Sequence, residues 1–128
     1  MQPKISIILS TYNEAYIIEE TLASIFANLT NVEIVIVDDC STDGTPEKIK
    51  KFNDPRIKLF SRKSRGLASA FLLGLINTNG EVVGWFDSNM PKLFQKVPLM
   101  ISELQSNDLV ILSRYVSGGK DQRSNLRI

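Results

Sequence analysis

Two patterns of apolar residues alternate along the chain. Short runs rich in Val and Ile occupy residues 4–10, 32–38, 56–61, 81–87 and 108–114. Runs of this length are typical of strands, and those at 4–10 and 32–38 are apolar enough to be buried on both faces. Between the runs, apolar residues recur every three or four positions, which is the spacing of one helix face. The first such set is Ile18, Leu22, Ile25 and Leu29.

Helix signals separate the predicted strands. Thr45 is predicted to cap a second helix, with Pro46 in its first helical position. Residues 67–75 and 97–105 fit a third and a fourth helix. Strands that alternate with helices through short connections predict a doubly wound α/β fold, with a mainly parallel sheet and helices on both faces.

Length and charge narrow the class of protein. The 128 residues suit one domain, 1–128, in which residues 116–128 read as an irregular tail. A net charge of +1 argues against a nucleic-acid-binding protein. No run approaches the roughly 20 apolar residues that span a bilayer, and the first ten residues do not resemble a signal peptide. A cytoplasmic protein is therefore expected, with association at the cytoplasmic face of a membrane left open.

The chain has no histidine and one cysteine, Cys40. Zinc sites built from Cys and His are thereby excluded, and any general acid or base must be a carboxylate, lysine, tyrosine or the substrate. The single cysteine also excludes an internal disulfide.

Polar residues follow the predicted strands. Residues 11–14 follow the first strand, 38–45 the second and 87–89 the fourth, while Arg114 closes the fifth. In a doubly wound sheet, ligands bind beyond the carboxyl ends of the strands, where the strand order reverses. If strands two and four both flank strand one, these segments line one crevice.

Each segment also has a purely structural interpretation. Glu14 could belong to a helix cap, Asp39 and Asp87 could be turn residues, and Arg114 could be a solvated charge. No glycine-rich phosphate loop follows the first strand. A bound diphosphate would therefore need a metal ion and basic side chains, and those near the predicted edge are Arg62, Lys63, Arg65 and Arg114.

Five segments together resemble the successive motifs of family 2 glycosyltransferases. The resemblance is nearest to the dolichyl-phosphate mannosyltransferase and polyprenyl-phosphate glycosyltransferase branch, and it implies the GT-A nucleotide-sugar fold. The segments are SIILSTYNEAYIIEETLASI, EIVIVDDCSTDGT, RGLASAFLLGL, VVGWFDSNM and LSRYVSGG.

The resemblance implies a role for individual residues. Asp39 would bond the base edge, and Gly66 would approach the ribose and phosphates. Asp87 and Arg114 would act in catalysis. Asp87 would also hold a divalent cation, Mg²⁺ or Mn²⁺, together with Asn89, which stands where the family has a second acid; the cation would be weakly bound. The other implied nucleotide contacts are Thr11, Tyr12, Glu14 and Ser88.

The implied activity is inverting transfer of a sugar from a GDP- or UDP-sugar, with a polyprenyl phosphate as a candidate acceptor and self-association left open. The resemblance also implies that most of the acceptor region lies outside these 128 residues. One alternative is a non-catalytic or truncated nucleotide-sugar-binding domain. A response-regulator receiver is a further alternative, although its acidic pair should follow the first strand, and here the pair follows the second.

Overall fold

A computed structural model describes residues 3–113 and 115–119, and the chain divides into two compact units, Met1–Pro98 and Leu99–Ile128. The first unit contains four strands and three helices in strict alternation. They are β1 (Ile5–Thr11), α1 (Ile18–Asn28), β2 (Val32–Asp39), α2 (Thr45–Phe52), β3 (Ile57–Arg62), α3 (Leu67–Ile76) and β4 (Val82–Asp87). A 3₁₀ helix, Pro91–Lys96, and a short helix α4, Val97–Glu103, follow.

The four strands form one parallel sheet in the order β3-β2-β1-β4. All eight residues of β2 and six of the seven of β1 are buried, as expected for central strands without polar alternation. Strand β3 lies at one edge and is only half-buried along most of its length. The predicted α/β class and the position of β1 between β2 and β4 are therefore confirmed.

Helices cover both faces of this sheet, because right-handed crossovers place α1 and α2 on one face and α3 on the other. Helix α3 approaches β1 closely at Gly74. A Cβ atom at this position would lie 2.6 Å from Cγ2 of Ile8, so only glycine allows this separation. The Phe71 ring packs on Trp85 of β4 with a centroid separation of 4.6 Å.

The predicted fifth strand is wrong for residues 108–113, which have no regular secondary structure. Leu109 and Ile111 are 74% and 73% exposed. A strand forms only where a neighbouring strand accepts and donates its backbone hydrogen bonds. Apolar composition alone is therefore not enough to make one. Arg114 lies outside the described residues.

The start of α2 also differs from the prediction, because the capping position belongs to Gly44 and Thr45 is the first helical residue. Gly44 has a φ of 89°, which favours glycine. The Thr45 hydroxyl donates to Asp43 at 2.5 Å and accepts from the Glu14 amide at 3.0 Å, so it links the loops after β1 and β2.

None of the helices in the described part of the chain is long and apolar enough to cross a membrane.

Candidate nucleotide site

The register of the sheet aligns the carboxyl ends of three strands. Thr11 of β1 pairs with Asp38 of β2, and Ser10 of β1 pairs with Asp87 of β4. Asp39 directly follows Asp38. The predicted convergence of Asp39 and Asp87 on one edge of the sheet is therefore confirmed.

Asp38 is the buried centre of this edge. Its Oδ1 accepts hydrogen bonds from Thr11 Oγ1 at 2.7 Å and from Ser41 Oγ at 2.6 Å, and its Oδ2 accepts one from the Ser41 amide at 3.1 Å. Asp38 and Thr11 are each 1% exposed. The Thr11 and Asp38 side chains are thus occupied in holding the loop after β2. The predicted nucleotide contact of Thr11 stays a prediction.

The loop after β1 is tied to the loop after β2 by a ladder of hydrogen bonds. Asn13 accepts from the Thr42 amide at 2.9 Å through its side chain, and its own amide donates to Ser41 Oγ at 2.9 Å. The Ala15 amide donates to Asp43 at 3.0 Å. Asn13 has a φ of 52°, which asparagine tolerates better than most residues. The two loops therefore form one rigid wall of the site.

Asp39 is held by the loop that joins β3 to α3. Arg62 donates to both carboxylate oxygens, from Nε at 2.5 Å and from a terminal nitrogen at 2.9 Å. The Gly66 amide donates to the same carboxylate at 3.2 Å. Gly66 has a φ of 153°, where glycine is favoured, and it precedes the first residue of α3. Asp39 and Gly66, both predicted site residues, are thus in direct contact.

Tyr12 extends from the end of β1 and is 40% exposed. The Arg65 guanidinium lies over its ring, 3.7 Å from the centroid. This separation is that of a cation–π contact. The loop after β3 therefore contacts the predicted site at both Tyr12 and Asp39.

Glu14 lies near two other carboxylates, Asp43 and Asp87, beyond the carboxyl ends of the strands. Burial raises the pKa of Glu14, and the charges of Asp43 and Asp87 raise it further, while a hydrogen bond from Tyr16 opposes the shift. A cation bound near Glu14 would offset this repulsion and stabilise its charged form.

Tyr16 is a site residue that the sequence did not reveal. The charge of Glu14, followed by burial and a hydrogen bond to Glu14, raises the pKa of its phenol, whereas a hydrogen bond with Asn89 lowers it. Tyr16 therefore lies near both Glu14 and Asn89, between the first loop and the turn after β4. Its ring is 73% exposed, and its only sequence signal was its position two residues after Glu14.

The Asp87-Ser88-Asn89 turn presents two side chains to solvent and one to the interior. Asp87 and Asn89 are exposed, whereas Ser88 is 2% exposed and donates to the Ser10 carbonyl at 3.3 Å. Thr21 of α1 donates to the Ser88 carbonyl at 2.5 Å and fixes the turn. Ser88 anchors the turn, and its own predicted nucleotide contact stays a prediction.

The donor set fits a hard divalent cation only if a ligand completes it. Within residues 3–113 and 115–119, no group of three or more carboxylate, cysteine or histidine side chains converges closely enough to hold a metal ion. Asp87 and Asn89 nevertheless provide exposed carboxylate and amide oxygens, the ligand types that Mg²⁺ and Mn²⁺ prefer. Oxygens of a diphosphate would supply the remaining positions.

A separate polar network surrounds Glu33 at the amino ends of the strands, opposite the predicted site. Ser6 Oγ donates to Glu33 at 2.6 Å, the Asn79 amide donates at 2.5 Å, and Lys58 Nζ lies 2.9 Å from the second carboxylate oxygen. An open groove of about 370 Å³ lies beside this network. The network fixes the amino ends of the strands and lies away from all the predicted site residues.

The family model described as glycosyl transferase family 2 matches residues 6–128. The chain is 37% identical over 122 residues to a dolichol-phosphate mannosyltransferase of Pyrococcus furiosus, covering 91% of this chain and 35% of that protein.

Two solved structures share the fold. The mannosyltransferase PcManGT of Pyrobaculum calidifontis, in complex with GDP-Man and Mn²⁺, is 34% identical with a TM-score of 0.63, covering 70% of this chain and 28% of that one. Glucosyl-3-phosphoglycerate synthase of Mycobacterium tuberculosis, in complex with Mn²⁺, UDP and glucosyl-3-phosphoglycerate, is 27% identical with a TM-score of 0.66. The match covers 83% of this chain and 41% of that one.

The chain spans about a third of the length of the first curated relatives it matches, 35% and 34% for two of them. Its match to the family model nevertheless covers nearly all of its own residues. Together with the parallel α/β sheet and the polar carboxyl edge, this establishes that the chain belongs to glycosyl transferase family 2.

Proposed function

We propose that this chain binds a nucleoside diphosphate sugar, of the GDP or UDP type, at the carboxyl edge of its sheet. The single observation that supports this most is the register of the sheet, which brings Asp38 and Asp39 of β2 and Asp87 of β4 to the carboxyl ends of the strands that flank β1. Anionic side chains facing one another favour a cation, and a cation in turn favours a diphosphate. The same edge is where doubly wound folds bind nucleotides.

The nucleoside would bind against Tyr12, Asp39 and Gly66. The Tyr12 ring offers an apolar face to a base, and the Asp39 carboxylate accepts hydrogen bonds from base N–H groups. The Gly66 backbone, with no Cβ atom, allows close approach of the ribose and phosphates at the start of α3.

The diphosphate end belongs with the turn after β4. Asp87 and Asn89 would hold a divalent cation, with the Tyr16 hydroxyl close to Asn89. A bound cation supplies stabilisation of the charge that develops on the leaving diphosphate. Asn89 contributes an uncharged oxygen where the family has a carboxylate, so the cation is expected to bind weakly in the absence of nucleotide.

The reaction we propose is inverting sugar transfer, and a polyprenyl phosphate suits the acceptor side. Such an acceptor is already anionic and needs little help from a general base, which fits a sequence without histidine. The name of the Pyrococcus furiosus relative, a dolichol-phosphate mannosyltransferase, supports the same acceptor class. Arg114 would contact the diphosphate in this scheme. An acceptor of this kind would bring the reaction to a membrane surface.

A non-catalytic nucleotide-sugar-binding domain is the second candidate. Asn89 in place of a carboxylate favours it. The two candidates share the same nucleotide site and differ in turnover. Release of nucleoside diphosphate from a nucleotide sugar in the presence of polyprenyl phosphate supports the enzyme, and binding without release supports the domain.

Calorimetric titration tests the nucleotide site. We expect GDP, UDP or both to bind with dissociation constants below about 1 mM in the presence of Mn²⁺, corresponding to about −4 kcal/mol or tighter. Binding should weaken when EDTA removes the cation, because the three carboxylates then repel the diphosphate. Pyrophosphate is the control ligand, since it lacks the base and should bind more weakly. Absence of heat with both nucleotides at millimolar concentration would contradict the proposal.

A further inference from the structure

We propose that Arg65 determines the affinity of the site by competing with the nucleobase for the ring of Tyr12. The inference rests on the proposed function, which places a base at Tyr12 and Asp39. In the free protein an arginine contacts each of these two residues: Arg65, in the loop after β3, contacts Tyr12, and Arg62, the last residue of β3, contacts Asp39.

The contact of Arg65 with Tyr12 covers the surface that a base needs. The guanidinium carbon lies 3.7 Å from the ring centroid, which is within stacking distance. A planar base cannot stack on the same ring face while the guanidinium remains there. Base binding on this face therefore requires Arg65 to leave.

Arg62 holds the loop in the position that allows this contact. It donates to Asp39 through two nitrogens, to the Gly66 carbonyl at 2.6 Å and to Ser69 Oγ at 2.9 Å. Arg62 is thus anchored at four acceptor atoms, and its side chain is 16% exposed. Arg65 is exposed, and Tyr12 is its aromatic contact.

These differences separate the two arginines in function. An exposed cation–π contact stabilises a side chain by only about 0.5–1 kcal/mol, so thermal motion releases Arg65 readily. Multiple charge-assisted hydrogen bonds keep Arg62 in place and leave the loop backbone unchanged. Arg65 can therefore move off Tyr12 without unfolding the loop, and the cost of this movement is subtracted from the affinity for the base.

The test compares Arg65→Ala with Lys63→Ala, which removes the same charge from the same loop and leaves the Tyr12 contact intact; because both side chains are candidate diphosphate contacts, the nucleosides are the deciding probes. The probes are guanosine and uridine, which lack phosphates, followed by GDP and UDP with Mn²⁺, all measured by NMR titration. Arg65→Ala should bind the preferred nucleoside about two- to five-fold more tightly than Lys63→Ala, the range that an exposed cation–π contact predicts. The same ratio should persist with the corresponding diphosphate.

A second pair of variants isolates the aromatic ring. In a Tyr12→Leu background the gain from Arg65→Ala should disappear, because no ring remains to be uncovered. Equal or weaker nucleoside binding by Arg65→Ala relative to Lys63→Ala would overturn the inference while leaving the nucleotide site intact. Absence of nucleoside and nucleotide binding in the unaltered protein and in Arg65→Ala alike would instead overturn the proposed function, and this inference with it.

Discussion

Replacing Glu33 by glutamine is expected to lower the free energy of unfolding near pH 7 by about 3 kcal/mol, the value that corresponds to a pKa lowered from 4.5 to about 2. Burial alone would raise the pKa of Glu33. Hydrogen bonds from Ser6, the Asn79 amide and Lys58, together with the charge of Lys58, outweigh burial and lower it. Glutamine keeps the size of the side chain but loses the charge that these donors stabilise.

The pH dependence of stability follows from the direction of the shift. A carboxylate whose pKa is lower in the folded state stabilises that state above its unfolded pKa of 4.5, and the effect is lost as the pH falls through about 2. Urea unfolding at pH 7, 4 and 2 measures the difference. The Glu33→Gln and unaltered proteins should converge toward pH 2, with Glu20→Gln, an exposed site on α1, as the control. Equal stability of the two glutamine variants at pH 7 would contradict this account of the amino ends of the strands.

Asp87→Asn is expected to weaken Mn²⁺-dependent binding of GDP or UDP by tenfold or more. The variant removes the one charged side chain of the proposed cation pair. A unit charge about 4 Å from another interacts by about 4 kcal/mol at an effective dielectric constant of 20, and a tenfold change needs only about 1.4 kcal/mol of it. Metal-free binding should change little or improve, since a repulsive charge is removed. Calorimetry with Mn²⁺ and with EDTA separates the two contributions.

The reverse substitution, Asn89→Asp, should strengthen Mn²⁺-dependent binding. It adds a second carboxylate to the turn, where the proposed cation has one charged side chain, Asp87. Glu81→Gln is the matched control, because Glu81 is an exposed carboxylate just before β4, at the other end of the same strand. If Asp87→Asn and Asn89→Asp both behave like Glu81→Gln, the Asp87-Ser88-Asn89 segment is only a turn.

The sequence predicted those parts of the fold that depend on local pattern. The central strands have continuous β-branched runs, and their helices have a single apolar face, so their existence and alternation could be inferred. The convergence of Asp39 and Asp87 also followed, because parallel strands bring their carboxyl ends to one edge. The strands, the helices and the common position of Asp39 and Asp87 could therefore be predicted from periodicity and topology alone.

The remaining features depend on tertiary contacts that no short segment encodes. Residues 108–113 have a strand-like composition but no strand. Glu33 interrupts an apolar run, and its partners Ser6, Lys58 and Asn79 are distant in sequence. The stacking of Arg65 on Tyr12 likewise joins residues 53 positions apart. Such contacts require the assembled sheet before they can be recognised.

A cation and a nucleotide are expected to bind together at the carboxyl ends of the strands. Paramagnetic broadening of backbone amide signals by Mn²⁺, measured by NMR in the presence of GDP and then UDP, tests this expectation most directly. With the bound nucleotide we expect the signals of residues 12–16 and 87–90 to broaden most, while those of Glu33, Lys58 and Asn79 at the amino ends of the strands remain sharp. Selective broadening at the amino ends, or none that depends on nucleotide, would contradict it.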